Sequence, residues 1–465
     1  MIENIRQRMR SIPGMDMLLE ADWSLPWQKR LGRDTVKRVL NTQLTRIRRD
    51  LLEGRELDVS IEALRPALEA LLAFEGRRRL QPVLNATGVV IHTNIGRSPL
   101  AAEAAEAVQE IALGYSNLEF DLKKGARGHR NAHVEDILCS LTGAEAALVV
   151  NNNAGAVLLC LSALARSTEV IVSRGELVEI GGSFRVPEIM EFSGAELVEV
   201  GTTNRTHLKD YAKAVNEKTS MLLKVHPSNF RMEGFTTSPS RQDLASLAHE
   251  REIVFMEDAG SGLLVDGGVL GLSGESDIRS ILEQGVDIVT FSGDKMLGGP
   301  QIGVIVGRKT FIDRIRTHPI LRALRVDKMT LAAFEVTMRI YMKGDIDKIP
   351  TLAMLRRSRD SMKKQAVRLA ARMRKHSTAK ISVVEVEDAV GGGSYPAVPL
   401  SGYGVAVAEH PRGGTGSLQA LLRERELPIL CGAREDALIF HVRTLFPKDE
   451  AELCLALAEL ETISQ

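Results

Sequence analysis

The residues with the most chemical promise lie in SGDKMLGGPQIGVIVG, residues 292–307, and first among them is Lys295. The apolar run 286–291 before it reads as a buried strand, and 302–306 after it as a second. A lysine in a loop between two core strands must find a counter-charge or give up its proton, and a lysine with a depressed pKa is what Schiff-base chemistry needs. The plain alternative is a lysine that snorkels to the surface. Ser292 and Gly293 before it, and Gly298, Gly299 and Pro300 after it, leave room for a ligand close to the backbone. Asp258 stands at the end of another apolar run, in IVFMEDAGSG (253–262). A carboxylate in a closed pocket is costly unless it meets a cation, and a pyridinium N–H is such a cation. ALVVNNNAGAVLLCLSALA (147–165) passes from a strand through Asn151, Asn152 and Asn153 into an apolar helix expected to begin near Ala154. Backbone N–H groups at a helix start cradle phosphate. A simple asparagine N-cap is the other reading, although it needs one asparagine and not three. Lysine, aspartate and helix start together are the parts of a pyridoxal phosphate site.

The elements that must position these residues are strands alternating with helices. Strands are expected at 147–150, 169–172, 196–200, 221–225 and 253–257, in addition to the two around Lys295. Their spacing is that of βαβ units, so the fold class is α/β, with a mostly parallel sheet covered by helices. Sites in such sheets lie at the carboxyl ends of strands. KVHPSNF (224–230) puts His226, Ser228 and Asn229 at one such end, where His226 either contacts a cofactor or is a structural histidine. NATGVVIHTNIGRSPL (85–100) reads as a loop and short strand ending in Asn94, Gly96 and Arg97, followed by an alanine-rich helix over 101–113. GARGHR (125–130) is either an anion clamp or an exposed turn. Arg322 and Arg325 are three apart and would share one face of a helix, to bind an anion or to form surface salt bridges. Residues 352–376 read as one basic helix linking a large domain to a small one, with nine Lys/Arg and one Asp.

Three domains are expected: a helical segment over 1–80, the large α/β domain over 81–350, and a linker helix with a small α+β domain over 351–465. The first shows apolar positions at helical spacing: Met15, Leu18 and Leu19, then Val36, Val39, Leu40, Leu44 and Ile47. Residues 1–50 hold 11 Lys/Arg against 6 Asp/Glu, including Lys37, Arg38, Arg46, Arg48 and Arg49, and Arg77, Arg78 and Arg79 follow. That excess is either a solvated helix face or a footprint for a phosphate backbone. Over the whole chain 60 basic residues balance 60 acidic ones, so any nucleic-acid site must be local. Cys139, Cys160, Cys431 and Cys454 form no CxxC pair and have no histidine at ligand spacing, which points away from zinc and disulfides and towards the reducing cytoplasm. No apolar run reaches membrane-spanning length, and the N-terminus lacks the core of a signal peptide.

Several ordered stretches carry a family resemblance: IPGMDMLL (12–19), NATGVVIHTNIGR (85–97), GARGHR (125–130), VNNNAGAVLL (150–159), SRGELVEIGGSFRVP (173–187), VGTTNRTH (200–207), KVHPSNF (224–230), SGDKMLGGPQ (292–301) and LRALRVDKMTLAA (321–333). Through them the whole chain resembles the bacterial selenocysteine synthases, the L-seryl-tRNA(Sec) selenium transferases, which are fold-type-I pyridoxal phosphate enzymes. The resemblance implies that Lys295 carries the cofactor with Asp294 beside it in the active site, and that Arg97, Arg322 and Arg325 bind selenophosphate. With the residues read above, the cofactor-binding set becomes Lys295, Asp258, Asn152, Asn153, Ala154, Ser292 and His226, with no metal. The family further implies a cytoplasmic homo-oligomer built from dimers, a homodecamer, whose N-terminal domain grips seryl-tRNA(Sec), with no membrane or DNA partner. The implied reaction is a β-replacement: the seryl amine displaces Lys295, the freed lysine takes the α-proton, the β-hydroxyl leaves, and selenium adds. Two rival readings are a pyridoxal phosphate lyase acting on a free amino acid or amino sugar acid, and a non-catalytic RNA-binding scaffold. The basic N-terminal segment speaks against the first, and the intact Lys295, Asp258 and asparagine loop against the second.

Overall fold

Seven strands that alternate in side-chain direction build the sheet that carries the site. The computed structural model describes residues 8–180, 184–396 and 398–462, so Gly181, Gly182 and Ser183 of the 173–187 stretch, and residues 1–7, lie outside the described residues. The sheet order is Ala146–Val150, Gly303–Gly307, Ile288–Ser292, Val254–Gly260, Thr219–Val225, Glu169–Ser173 and Glu196–Val200. All neighbours pair in parallel except Gly303–Gly307, which runs antiparallel to both of its partners. Alternate residues of each strand enter two different cores: Val149, Ile171, Leu222, Phe255 and Val289 on one face, Leu148, Val170, Leu223, Met256 and Ile288 on the other. Period-two projection with apolar residues at both phases is what a sheet covered on both faces requires.

A second, six-stranded sheet has the order Leu84–Ala86, Ile429–Arg434, Ala437–His441, Pro399–Ala408, Lys380–Gly391 and Val89–Ile91. Its two edges come from the short strands just after residue 82, which the sequence pattern suggested only in part, and its Ile429–Arg434 strand was not expected. Helices Arg359–Met373 and Asp449–Thr462 pack on it through Met362, Leu369, Leu453 and Leu457. The single basic helix expected over 352–376 is two: Pro350–Leu355 and Arg359–Met373. Ser358 interrupts it, with an extended backbone and a hydroxyl that accepts from the N–H of Ser361. A serine N-cap starts a new helix more readily than it sits inside one.

Residues up to Pro82 form a separate compact unit. Its helices Met15–Glu20, Arg33–Leu52 and Ile61–Glu75 bury Leu18, Leu19, Val36, Leu40, Leu44, Ile47, Leu68 and Leu72, as helical spacing predicts. Lys37, Arg38, Arg46, Arg48 and Arg49 are exposed on the rest of the Arg33–Leu52 surface. Arg38 pairs with Glu75, whereas none of the other four is in an ion pair among the described residues. Among the described residues all four cysteines are free, no metal-ligand cluster occurs, and no helix is long and apolar enough to cross a membrane.

Candidate active site

Lys295 leaves the carboxyl end of Ile288–Ser292 in a ten-residue excursion that returns as Gly303–Gly307. The loop is tied to itself: Gly293 N–H donates to Ile302 O at 2.9 Å, Gly299 N–H to Gly293 O at 2.8 Å, and Gly298 N–H to Lys295 O at 3.0 Å. Gly298 has φ +75°, and a Cβ there would lie 2.2 Å from the Ile349 side chain, so glycine is required on both counts. Met296 and Leu297 plug the core, and Tyr341 Oη donates to Leu297 O at 2.8 Å. The lysine is therefore held, not loose, and it is 7 % exposed. Burial pushes its ammonium below the ordinary lysine range, while Asp258 pulls the other way. The surface-lysine alternative is thus ruled out by geometry.

Asp258 sits in register between Val225 and Thr290 on the neighbouring strands. Asn153 Nδ2 donates to its Oδ1 at 2.8 Å, Gly260 N–H at 3.1 Å and Thr290 Oγ1 at 3.4 Å. Oδ2 takes no hydrogen bond among the described residues. Burial pushes this carboxyl above the ordinary aspartate range, opposed by the Asn153 hydrogen bond and by Lys295. The adjacent Glu257 has a different role: its two oxygens accept from Arg241 Nε and Nη2 at 2.7 and 2.8 Å.

The asparagine loop divides its work. Asn152 is the N-cap of Asn153–Leu164, accepting from Gly155 N–H at 2.7 Å, so the plain capping reading holds for this residue. Asn153 fastens Asp258, and its own Oδ1 is buried without a partner. Asn152, Asn153 and Ala154, at the start of this twelve-residue helix, help to line the cavity. Gly303 lets the loop approach: a Cβ there would stand 2.1 Å from Asn152 O.

Arg97 arrives from the loop after Val89–Ile91, with φ +59°, a conformation that non-glycine residues seldom adopt. Its Nη1 donates to Asp294 Oδ2 at 2.6 Å. The loop is clamped to the lysine backbone as well, because Ser98 Oγ donates to Lys295 O at 2.6 Å. Asp294 is buried, so its carboxylate positions Arg97 at the cavity wall.

One cavity of 270 Å³ unites Arg97, Asn152, Asn153, Ala154, His226, Asp258, Ser292, Asp294 and Lys295. Ser228, Gly260, Gln301 and Ile302 complete its wall. Arg322 and Arg325 do not line it. Arg322 ends a short 3₁₀ turn, Pro319–Arg322, and Arg325 lies beyond that turn, so the helix that would have put both guanidinium groups on one face is absent. Arg325 Nη1 is 3.8 Å from Glu119, which also holds Arg130 at 2.6 Å. Arg130 of the GARGHR stretch is thereby a structural tie, reinforced by its bond to Val326 O, while Arg127 is exposed. His226 donates its backbone N–H to Asp258 O at 3.0 Å, and its Nδ1 is buried without a partner. Sequence reasoning missed Glu275, which lies 3.7 Å from His226 Nε2 and accepts from the backbone N–H of Tyr395. Nothing in the surrounding GLSGESD marks it. It also missed that the glycine turn after Lys380–Gly391 covers the lysine: a Cβ on Gly393 would lie 2.7 Å from Lys295 Nζ.

The family model for L-seryl-tRNA selenium transferase matches residues 83–446, and the model for the selenocysteine synthase N terminal matches residues 9–48. An L-seryl-tRNA(Sec) selenium transferase of Clostridium perfringens is 47 % identical over 460 residues, covering 98 % of this chain and 99 % of its own length. Proteins of the same description from Geobacter sulfurreducens and Aquifex aeolicus are 45 % and 43 % identical, covering 97 % and 99 % of this chain and 98 % and 100 % of their own. Among solved structures, a D-glucosaminate-6-phosphate ammonia-lyase superposes with a TM-score of 0.57 at 21 % identity, over 82 % of this chain and 96 % of that one. The shared architecture is that of fold-type-I pyridoxal phosphate enzymes. With matches that run through both the N-terminal helices and the lysine-bearing sheet, this chain belongs to the L-seryl-tRNA selenium transferase family.

Proposed function

We propose that this chain replaces the β-hydroxyl of serine, esterified to tRNA(Sec), with selenium from selenophosphate, using pyridoxal phosphate carried on Lys295. The observation that carries the cofactor is the convergence of a buried lysine, a buried aspartate with one open oxygen, and the start of the Asn153–Leu164 helix on one cavity. The residues fit the group: Asp258 Oδ2 is available to a ring N–H, Asn153 Oδ1 and Ser228 Oγ are buried polar atoms without partners, and the helix start is open to a phosphate. Bound there, pyridoxal phosphate supplies an electron sink for the charge left when an α-proton departs.

The chain's own residues perform the rest. Lys295, with its ammonium destabilised by burial, would hold the cofactor and is placed to take the α-proton as a general base. Asp258 keeps the ring nitrogen protonated, and Asn153 fixes its orientation. Arg97, oriented by Asp294, presents its guanidinium to the oxygens of the selenium donor by charge-assisted hydrogen bonds. Arg322 and Arg325 serve the same anion in an assembled oligomer, from outside the cavity that one chain forms by itself. In the balance, the hydroxyl leaves as water, selenium bonds to the β-carbon, and hydrolysis of the selenium–phosphorus bond releases phosphate. The exposed cations Lys37, Arg46, Arg48 and Arg49 meet the RNA backbone. By domain, residues 1–80 engage RNA and 81–350 hold the cofactor, while 351–465 form the small domain, to whose sheet Leu84–Ala86 and Val89–Ile91 are added.

The test is a reconstituted assay with seryl-tRNA(Sec) and selenophosphate, together with the visible spectrum of the protein. Lys295→Ala should lose both the selenium transfer and the visible band of the lysine-bound cofactor. A variant that kept a borohydride-reducible linkage would remove Lys295 from this role.

A further inference from the structure

A second cavity of 410 Å³ shares the wall residue His226 with the lysine cavity and is further lined by Phe230, Arg231, Met232, Glu275 and Tyr395. Its polar groups are unsatisfied: Glu275 is nearly buried, with side-chain exposure of 6 %, and its Oε2 has no hydrogen-bond partner, nor has the Tyr395 hydroxyl. Phe230 and Met232, each 36 % exposed, supply an aromatic ring and a thioether to the same wall. Arg231 is 60 % exposed, in a loose 3.6 Å pair with Glu233. An apolar face able to stack on a flat ring, a buried acceptor without a donor, and a largely exposed cation in the lining are the chemistry of a nucleoside site.

We infer that this cavity seats the terminal nucleoside of the aminoacyl-RNA, the adenosine whose ribose carries the seryl ester. The inference rests on the proposed function, because serine at Lys295 obliges the esterified ribose to lie in the space next to the lysine cavity. Phe230 stacks on the base, Glu275 Oε2 accepts from an amino or ribose hydroxyl group, and Arg231 meets the phosphate on the 5′ side of that ribose. A neighbouring cavity of 610 Å³ shares Ser228 with the lysine cavity, but its charged lining is Glu387 and Asp388, the latter already paired with Arg443 and His441, and no cation among the described residues lines it to meet a phosphate, so it suits an RNA end less well.

The probe is 3′-seryl-amino-3′-deoxyadenosine, whose amide linkage resists hydrolysis, titrated calorimetrically into the full-length protein. Its cytidine counterpart is titrated as a control. Phe230→Ala is expected to weaken the adenosine probe about tenfold, in line with the loss of one base–aromatic stack. The same variant should raise the KM for seryl-tRNA(Sec) with little change in kcat, while the cofactor band at Lys295 stays as in the wild type. Glu275→Gln, which preserves shape, should also weaken the adenosine probe and thus guards against a folding defect in the first variant. Unchanged probe affinity in both variants, alongside wild-type protein that transfers selenium, overturns the cavity assignment and leaves the reaction standing. Wild-type protein that binds cofactor yet transfers no selenium to seryl-tRNA(Sec) overturns the reaction and this inference with it.

Discussion

Gly393→Ala should separate the architecture around Lys295 from the stability of the fold. A Cβ at this position would lie 2.7 Å from Lys295 Nζ, 2.8 Å from Cε and 3.0 Å from Cδ, whereas carbon contacts settle at about 3.5–4.0 Å. The lysine end must therefore yield by roughly 1 Å, and a displacement of that size at a reacting group costs about 10²-fold in rate. The backbone contributes separately. Gly393 has φ +91°, and forcing an L-residue into a left-handed conformation costs about 1–2 kcal/mol. Gly344→Ala isolates that second part, because Gly344 has φ +74° and a Cβ there meets nothing within 4 Å. Both variants should lose similar stability in urea titration, while only Gly393→Ala loses kcat and shifts the visible cofactor band. If Gly393→Ala transfers selenium at the rate of Gly344→Ala, the glycine turn does not rest on Lys295 in the working enzyme.

Three further outcomes are expected. Arg97→Ala should slow selenium transfer more than loss of the β-hydroxyl, and equal slowing of both in single-turnover measurements would count against donor binding. Lys37→Glu with Arg48→Glu should weaken tRNA binding and lower the slope of log affinity against log salt by about one per lost phosphate contact; an unaltered slope would place the RNA elsewhere. In protein stripped of cofactor, Lys295 has a folded pKa below its ordinary 10.5, so the unfolded chain binds more protons between the two values and stability rises with pH across that window. The contribution present at alkaline pH is lost as pH falls through the folded value. Asp258 is the reverse: its folded pKa exceeds 3.8, and the stability present below that value is lost as pH rises through the folded one. Lys295→Met and Asp258→Asn should each flatten its own window in urea titrations, and slopes identical to wild type would show that neither group is buried as described.

What could be read in the sequence was whatever lies within one element or at its end. Strand periodicity located the seven strands because each is apolar at both phases, and the parallel order then put Asp258, His226 and Lys295 at the same edge. Asp258 is singled out from the Glu257–Asp258 pair in the sequence, and in the structure both are buried. The structure distinguishes them by partner: Arg241 takes Glu257, and Asn153 takes Asp258. Contacts made over long separations carried no local signal. Arg97 and Asp294 are 197 residues apart, and Ser98 reaches Lys295 across the same distance. The arginine pair at 322 and 325 went the other way, since its spacing suggested a helix that Pro319 and the irregular residues after Ala323 do not form.

The glycines at 391–393 mark a turn by their residue type but give no sign of belonging to the site, and the reason is physical. A turn's glycines are explained locally by positive φ, as at Gly391 and Gly393, so nothing in the sequence separates a glycine needed for the chain's own path from one needed by a side chain elsewhere. Gly393 answers to both. Its backbone conformation belongs to the turn that follows a strand of the small sheet, and its missing side chain is the space occupied by Lys295. The same turn passes Tyr395 to Glu275, which in turn lies beside His226. Movement of the small sheet would therefore reach the lysine cavity on two sides at once, from Gly393 onto Lys295 and from Tyr395 through Glu275 onto His226.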